Sequence, residues 1–155
     1  MNDYIKTMRE MVGNKTLLKI GCGAIIVDPQ GRILLQERTG QDIWGIPGGI
    51  MEIGETFEET VKREVSEETN LEITEFSLFG IYSGENGFAV YPNGDRVYSI
   101  QIIFLSKKYE GSLKPCAESK QLRFFSKEGL PNNMNPHQSP FINDWLNNAN
   151  TPIVK

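Results

Sequence analysis

Only two cysteines, Cys22 and Cys116, and a single histidine, His137, occur in the 155 residues. The cysteines lie far apart and form no CxxC pair, which removes the usual thiol-redox motif. No Cys/His cluster exists to hold zinc. A catalytic Cys–His pair would have to recruit His137 from a loop bounded by Pro136 and Pro140. Long apolar runs are also missing, and a bilayer span takes about 20 such residues. The first ten residues are polar and mixed in charge, which is not the pattern of a secretory signal. The expectation is a cytoplasmic protein with reduced thiols and no membrane partner. Positive charge is not in excess: 16 Lys and Arg stand against 20 Asp and Glu, a net charge of −4. Long nucleic acid is therefore not expected as a bulk partner. A small phosphate ester held through a metal suits that sign.

What is present is the composition of an ordinary globular protein, 39% hydrophobic and 23% charged. The length suits one domain, residues 1–155, with residues 1–14 as an N-terminal helical extension. Apolar spacing predicts a helix from Asp3 to Met11. Strands are predicted at Leu17–Val27, Arg32–Gln36, Leu71–Tyr82, Arg96–Ser106 and Gln121–Phe125. Asp28-Pro29-Gln30-Gly31 reads as the turn of a hairpin, and Asn93-Gly94 as another. Pro140 to Asn147 reads as a last helix. Strands outnumber helices, so a mixed sheet with helices on its faces is the expected architecture.

The chemistry concentrates between Gly49 and Leu71. Thr56 with Glu59 three residues on fits a capping box, and Asn70 suits a left-handed helix terminator, giving a helix from Phe57 to Thr69. Residues three and four apart are neighbours on a helix, so Glu64, Glu67 and Glu68 converge on one patch. A solvated acidic face is the competing reading, since each like-charge pair costs only about 0.2–0.5 kcal/mol. At 100° per residue, however, Val61 and Val65 must face the core, and Glu64 and Glu68 border that stripe. A carboxylate at a core edge needs a partner. Arg63 is within helical reach of Glu59 and Glu67 but cannot neutralise every acid. Hard divalent cations are the natural remaining partners. Gly45, Gly48 and Gly49 just before the helix permit close approach of a ligand, and their carbonyls can assist a cation.

Gly49, Glu55, Arg63, Glu64, Val65, Glu67, Glu68 and Leu71 together resemble the Nudix box, with Asn70 standing where the pattern ends in Gly. The resemblance implies the α/β (α+β) Nudix fold, a mixed sheet sandwiched between helices. It implies hydrolysis of the pyrophosphate bond in a nucleoside diphosphate linked to another moiety, with Mg²⁺ or Mn²⁺. By that analogy Glu64, Glu67 and Glu68 hold the metal, with the carbonyl of Gly48 or Gly49 assisting. Arg63 orients the carboxylates, and Glu55 supports the loop or binds a further ion. Glu64 is one candidate for the base that activates water. Glu118, just before the last long strand, is another, with a solvated loop acid as its alternative. Trp44, Phe88 and Tyr91 are the candidate substrate-binding aromatics, with Tyr82 and Tyr98 also able to stack on a base. Packing is the alternative for each, and a loop anchor for Trp44. Members of the family are often dimers, so a homodimer is an expectation. Two other readings remain: a nucleotide sensor of this fold that binds without cleaving, and removal of pyrophosphate from RNA 5′ ends, for which Lys107-Lys108 is the candidate basic patch.

Overall fold

The computed structural model describes residues 3–155, so the first two residues of the expected extension lie outside the described residues. In chain order the elements are α1 (Asp3–Val12), β1 (Leu17–Ile26), β2 (Ile33–Arg38), β3 (Trp44–Gly45), β4 (Gly48–Ile50), α2 (Phe57–Thr69), β5 (Glu72–Tyr82), β6 (Phe88–Val90), β7 (Arg96–Glu110), β8 (Ser119–Phe125), α3 (Ser139–Leu146) and β9 (Ile153–Val154). Short 3₁₀ turns at Glu85–Gly87 and Pro136–Gln138 lie between them.

The strands divide into two sheets. The larger has the order β4-β1-β7-β5-β9, with β6 added to the free end of β7; the smaller runs β3-β2-β8. The larger sheet is mixed, because β1 runs parallel to β7 and β5 parallel to β9 while the other pairs are antiparallel. This division changes one sequence expectation. The Asp28–Gly31 turn forms, with Asp28 N–H donating to Arg32 O at 2.9 Å, but its arms separate into different sheets after one bridge at Val27 and Ile33. The reason is burial. From Gly21 to Ile26 every residue of β1 is buried, as in a strand flanked on both sides and covered on both faces.

Two apolar clusters share these strands. Val61 and Val65 of α2 pack with Cys22, Ala24, Ile26 and Leu34. Phe141, Ile142 and Trp145 of α3 pack with Ile25, Ile33, Leu35 and Ile103. Alternation along β1 sends even residues under α2 and odd residues toward α3. α1 buries no residue and is tied down by Arg9, which donates to the carbonyls of Gly13, Lys15 and Arg96.

Candidate active site

The acidic helix forms as its sequence dictates. Thr56 Oγ1 accepts from Glu59 N–H at 3.1 Å, and Glu59 Oε2 accepts from Thr56 N–H at 2.7 Å, closing a capping box. Glu59 is thereby spent on the cap and does not partner Arg63. Asn70 ends the helix in the left-handed region, with φ 64° and its N–H on Ser66 O. Its amide also donates to Ser112 O at 3.0 Å, a contact that glycine lacks.

Arg63 instead reaches back to the glycine turn. Its Nε and Nη2 take both oxygens of Glu55 at 2.5 and 3.0 Å. Nη1 donates to Glu64 Oε1 at 2.7 Å, and Nη2 to the carbonyl of Ile50 at 3.2 Å. One guanidinium therefore fixes the turn, the loop acid and Glu64 together. The Arg63 hydrogen bonds hold the Glu55 carboxyl down at about 2, with partial burial opposing and Glu52 N–H and Thr60 Oγ1 adding to the effect. Glu55 supports the loop.

Gly49 faces this arrangement. A Cβ on Gly49 would stand 2.5 Å from each carboxylate oxygen of Glu64, so only glycine admits the acid against β4. Register places Gly49 opposite Cys22, and Gly48 opposite Gly23. Cys22 is buried, and burial pushes its thiol up to about 12.

Glu68 is the deepest of the three acids, 4% exposed. Burial raises its pKa; the neighbouring Glu64 carboxyl adds to the rise, while Arg38 and Gly48 N–H pull against it. Gly48 N–H donates to Glu68 Oε2 at 3.3 Å. Arg38 ends β2, two residues beyond the strand predicted at Arg32–Gln36. Its Nη2 lies 3.6 Å from Glu68 Oε1 and 3.4 Å from the Gly48 carbonyl. That nitrogen marks a point where a carboxylate and a backbone carbonyl converge on positive charge. Glu67 departs from the expected trio: it turns to solvent and meets Arg63 Nη1 at 3.5 Å. Among the described residues no three His, Cys, Asp or Glu side chains stand as a ready-made metal cluster. Glu64, Glu68 and the Gly48 carbonyl nonetheless form an all-oxygen donor set of the kind that hard divalent cations take.

The remaining candidates fall in different places. Glu118 is an exposed residue whose carbonyl accepts from Thr39 N–H at 2.9 Å, which ties it beside Arg38. Trp44 is buried and packs edge-on against Phe125 with ring centroids 4.9 Å apart, the loop-anchor placement. Tyr82 is also buried; it packs on Phe141 and donates to Asp144 Oδ2 at 2.8 Å. Phe88 is 57% exposed, tilts against Tyr98, and lines a cavity of about 270 Å³ with Arg96 and His137. Tyr91 accepts from Lys19 Nζ at 2.6 Å. A second cavity of about 400 Å³, lined by Phe57, Leu78 and Phe104, includes none of the three acids.

Comparison with known proteins agrees with this architecture. The family model of the NUDIX domain matches residues 17–145. An ADP-ribose pyrophosphatase of Methanocaldococcus jannaschii is 35% identical over 125 residues, covering 78% of this chain and 69% of the relative. An NAD-capped RNA hydrolase of Vibrio vulnificus is 32% identical over 113 residues, covering 71% of this chain but 40% of the relative. The crystal structure of a MutT NUDIX hydrolase from Burkholderia pseudomallei superposes with a TM-score of 0.70 at 25% identity, covering 82% of this chain and 97% of that one. The chain belongs to the NUDIX family. It is a hydrolase that acts on pyrophosphate bonds of nucleoside diphosphate derivatives.

Proposed function

We propose that the chain is a single catalytic domain, residues 1–155 with a helical extension over 1–14, that uses Mg²⁺ or Mn²⁺ to cleave a small nucleoside diphosphate joined to a sugar or second nucleotide. The observation that carries the metal is the buried Glu68 set against Glu64 beside the Gly48 carbonyl. Glu64, Glu68 and Gly48 hold the ion, with Gly49 shaping the approach and Glu67 joining from the solvent side. Held by these residues, a divalent ion would supply charge neutralisation for the diphosphate and would lower the pKa of a bound water. Arg63 keeps Glu64 in place, and Arg38 presents a cation beside the same carbonyl. Glu64 is the base of choice for that water. Glu118 is the second candidate, carried by the loop next to Arg38. Phe88 and Tyr91 remain candidates to stack on a base; the burial of Trp44 supports an anchoring role instead.

The ADP-ribose pyrophosphatase relative supports a nucleoside diphosphate sugar over RNA. The Lys107-Lys108 pair is a small patch, and Lys108 lies 3.3 Å from the acid Glu75 on the surface. Intact acids support catalysis over a binding-only sensor. A cytoplasmic location is consistent with the lack, among the described residues, of a helix long and apolar enough to cross a membrane. A homodimer follows from family habit alone.

Nucleotide sugars, dinucleotides, capped RNA and nucleoside triphosphates, each incubated with Mg²⁺ or Mn²⁺, test the reading. Cleavage of a diphosphate sugar, lost by orders of magnitude in a folded Glu64→Gln variant, is the expected result. No product from any substrate with either ion would overturn it.

A further inference from the structure

On the face of the larger sheet turned away from α2, the strip beside β4 is floored by glycine. Gly21 and Gly23 of β1 are both buried. Gly21 sits between Ile50 of β4 and Gln101 of β7 in register. The side chain of Gln101 lies across Gly21: a Cβ there would stand 2.9 Å from Gln101 Oε1 and 3.3 Å from Nε2. At Gly23 the same test meets Ile46 Cδ1 at 2.9 Å, so Ile46 covers the next step of the strip. The Gly48 carbonyl, a donor at the metal locus, belongs to the residue paired with Gly23. Two strand spacings, about 10 Å, separate the Gln101 backbone from β4. Gln101 thus lies two strands from Gly48 on one sheet, its carboxamide laid across Gly21 next to the Ile46 that covers Gly23.

Gln101 is half-buried, and no hydrogen bond to either end of its amide is formed within the described residues. The other half-buried carboxamide nearby, Gln138, is already used, its Oε1 accepting from Ile46 N–H at 2.9 Å. A carboxamide carries a donor and an acceptor side by side. That pair is complementary to the edge of a nucleobase, which also presents a donor beside an acceptor. On the opposite side Gln101 abuts Tyr82, whose hydroxyl is committed to Asp144 and offers no competing partner.

The geometry points to Gln101 as the residue that reads the base of the bound nucleotide, with Gly21 kept bare so that the carboxamide can lie across β1. This rests on the proposed diphosphate hydrolysis. Its role is recognition: it touches the base and takes no part in the chemical step.

The test is a kinetic comparison of wild type, Gln101→Leu and Gly21→Ala on adenine, guanine and uracil nucleoside diphosphates joined to the same sugar. Folding of each variant is checked by thermal melting. Wild type discriminates among the bases. Gln101→Leu raises KM for the preferred base about tenfold, the size of one lost base-edge pair, and levels the three substrates. Gly21→Ala, whose methyl displaces the carboxamide, moves preference the same way. A folded Gln101→Leu enzyme with unchanged base preference would overturn the assignment while leaving hydrolysis intact. Absence of cleavage in wild type would instead overturn the hydrolysis on which it rests.

Discussion

Gly49 and Glu64 are fitted to one another: a single methyl group on Gly49 would stand 2.5 Å from both oxygens of the Glu64 carboxylate. The missing side chain is therefore part of the acid's binding pocket.

Gly49→Ala should force Glu64 off its position against β4 and off Arg63. A displacement near 1 Å costs on the order of 100-fold in rate. The expected outcome is a kcat lowered by at least about that factor in a protein whose circular dichroism is unchanged. Retention of wild-type kcat would refute the fit.

Glu55 sets an acid-side dependence. Its folded value, about 2, lies below the ordinary carboxylate value of 4.5. A lowered acid stabilises the fold above its unfolded value, and that stability fades as pH falls from about 4.5 toward 2. Wild type should therefore melt above Glu55→Gln at pH 7, and the two should converge near pH 2. Parallel melting curves across that range would contradict the Arg63–Glu55 pairing.

Glu68 acts in the opposite sense. Its folded value is raised, chiefly by burial. The protonated acid is favourable below the unfolded value, and that advantage is lost as pH rises toward and past neutrality. In EDTA, Glu68→Gln should gain on wild type as pH is taken from 4.5 to 8.5. Added Mg²⁺ should stabilise wild type more at pH 8 than at pH 5.5, and the variant little at either. A Mg²⁺ shift of equal size in both proteins would exclude Glu68 from the ion's ligands.

The two thiols should separate cleanly. Cys22 is buried with its thiol held up near 12, whereas Cys116 is partly open beside Ser119. Only thiolate reacts. Native protein should release one equivalent in a colorimetric thiol assay, and the second only on denaturation.

Much of this site was legible from spacing alone, because its determinants are local. The capping box, the helix span and the left-handed Asn70 are decided within a few residues. Gly49, Glu64 and Glu68 follow from one turn and one helix face. What escaped is what arrives from another element. Arg38 reaches Glu68 only because β2 leaves β1 for the smaller sheet, and no local pattern around Gln36-Glu37-Arg38 announces that departure. The expected Arg63–Glu59 pair failed because two local motifs competed for one acid, and the cap took it. Gln101 is invisible without knowing that β1 and β7 lie side by side.

That same adjacency bears on how the protein comes into being. β1 has its long parallel partner in β7, with Leu17 matched to Val97 eighty residues later. Contacts so distant along the chain form slowly. The capped α2 is short and is held by packing Val61 and Val65 on β1, the edge strand carrying Gly48 and Gly49 also rests on β1, and β1 lacks its parallel partner until β7 has been synthesised. During synthesis the glycine turn and the acidic segment will stay unassembled for some time. A nascent chain halted before residue 96 should therefore lack a competent metal site.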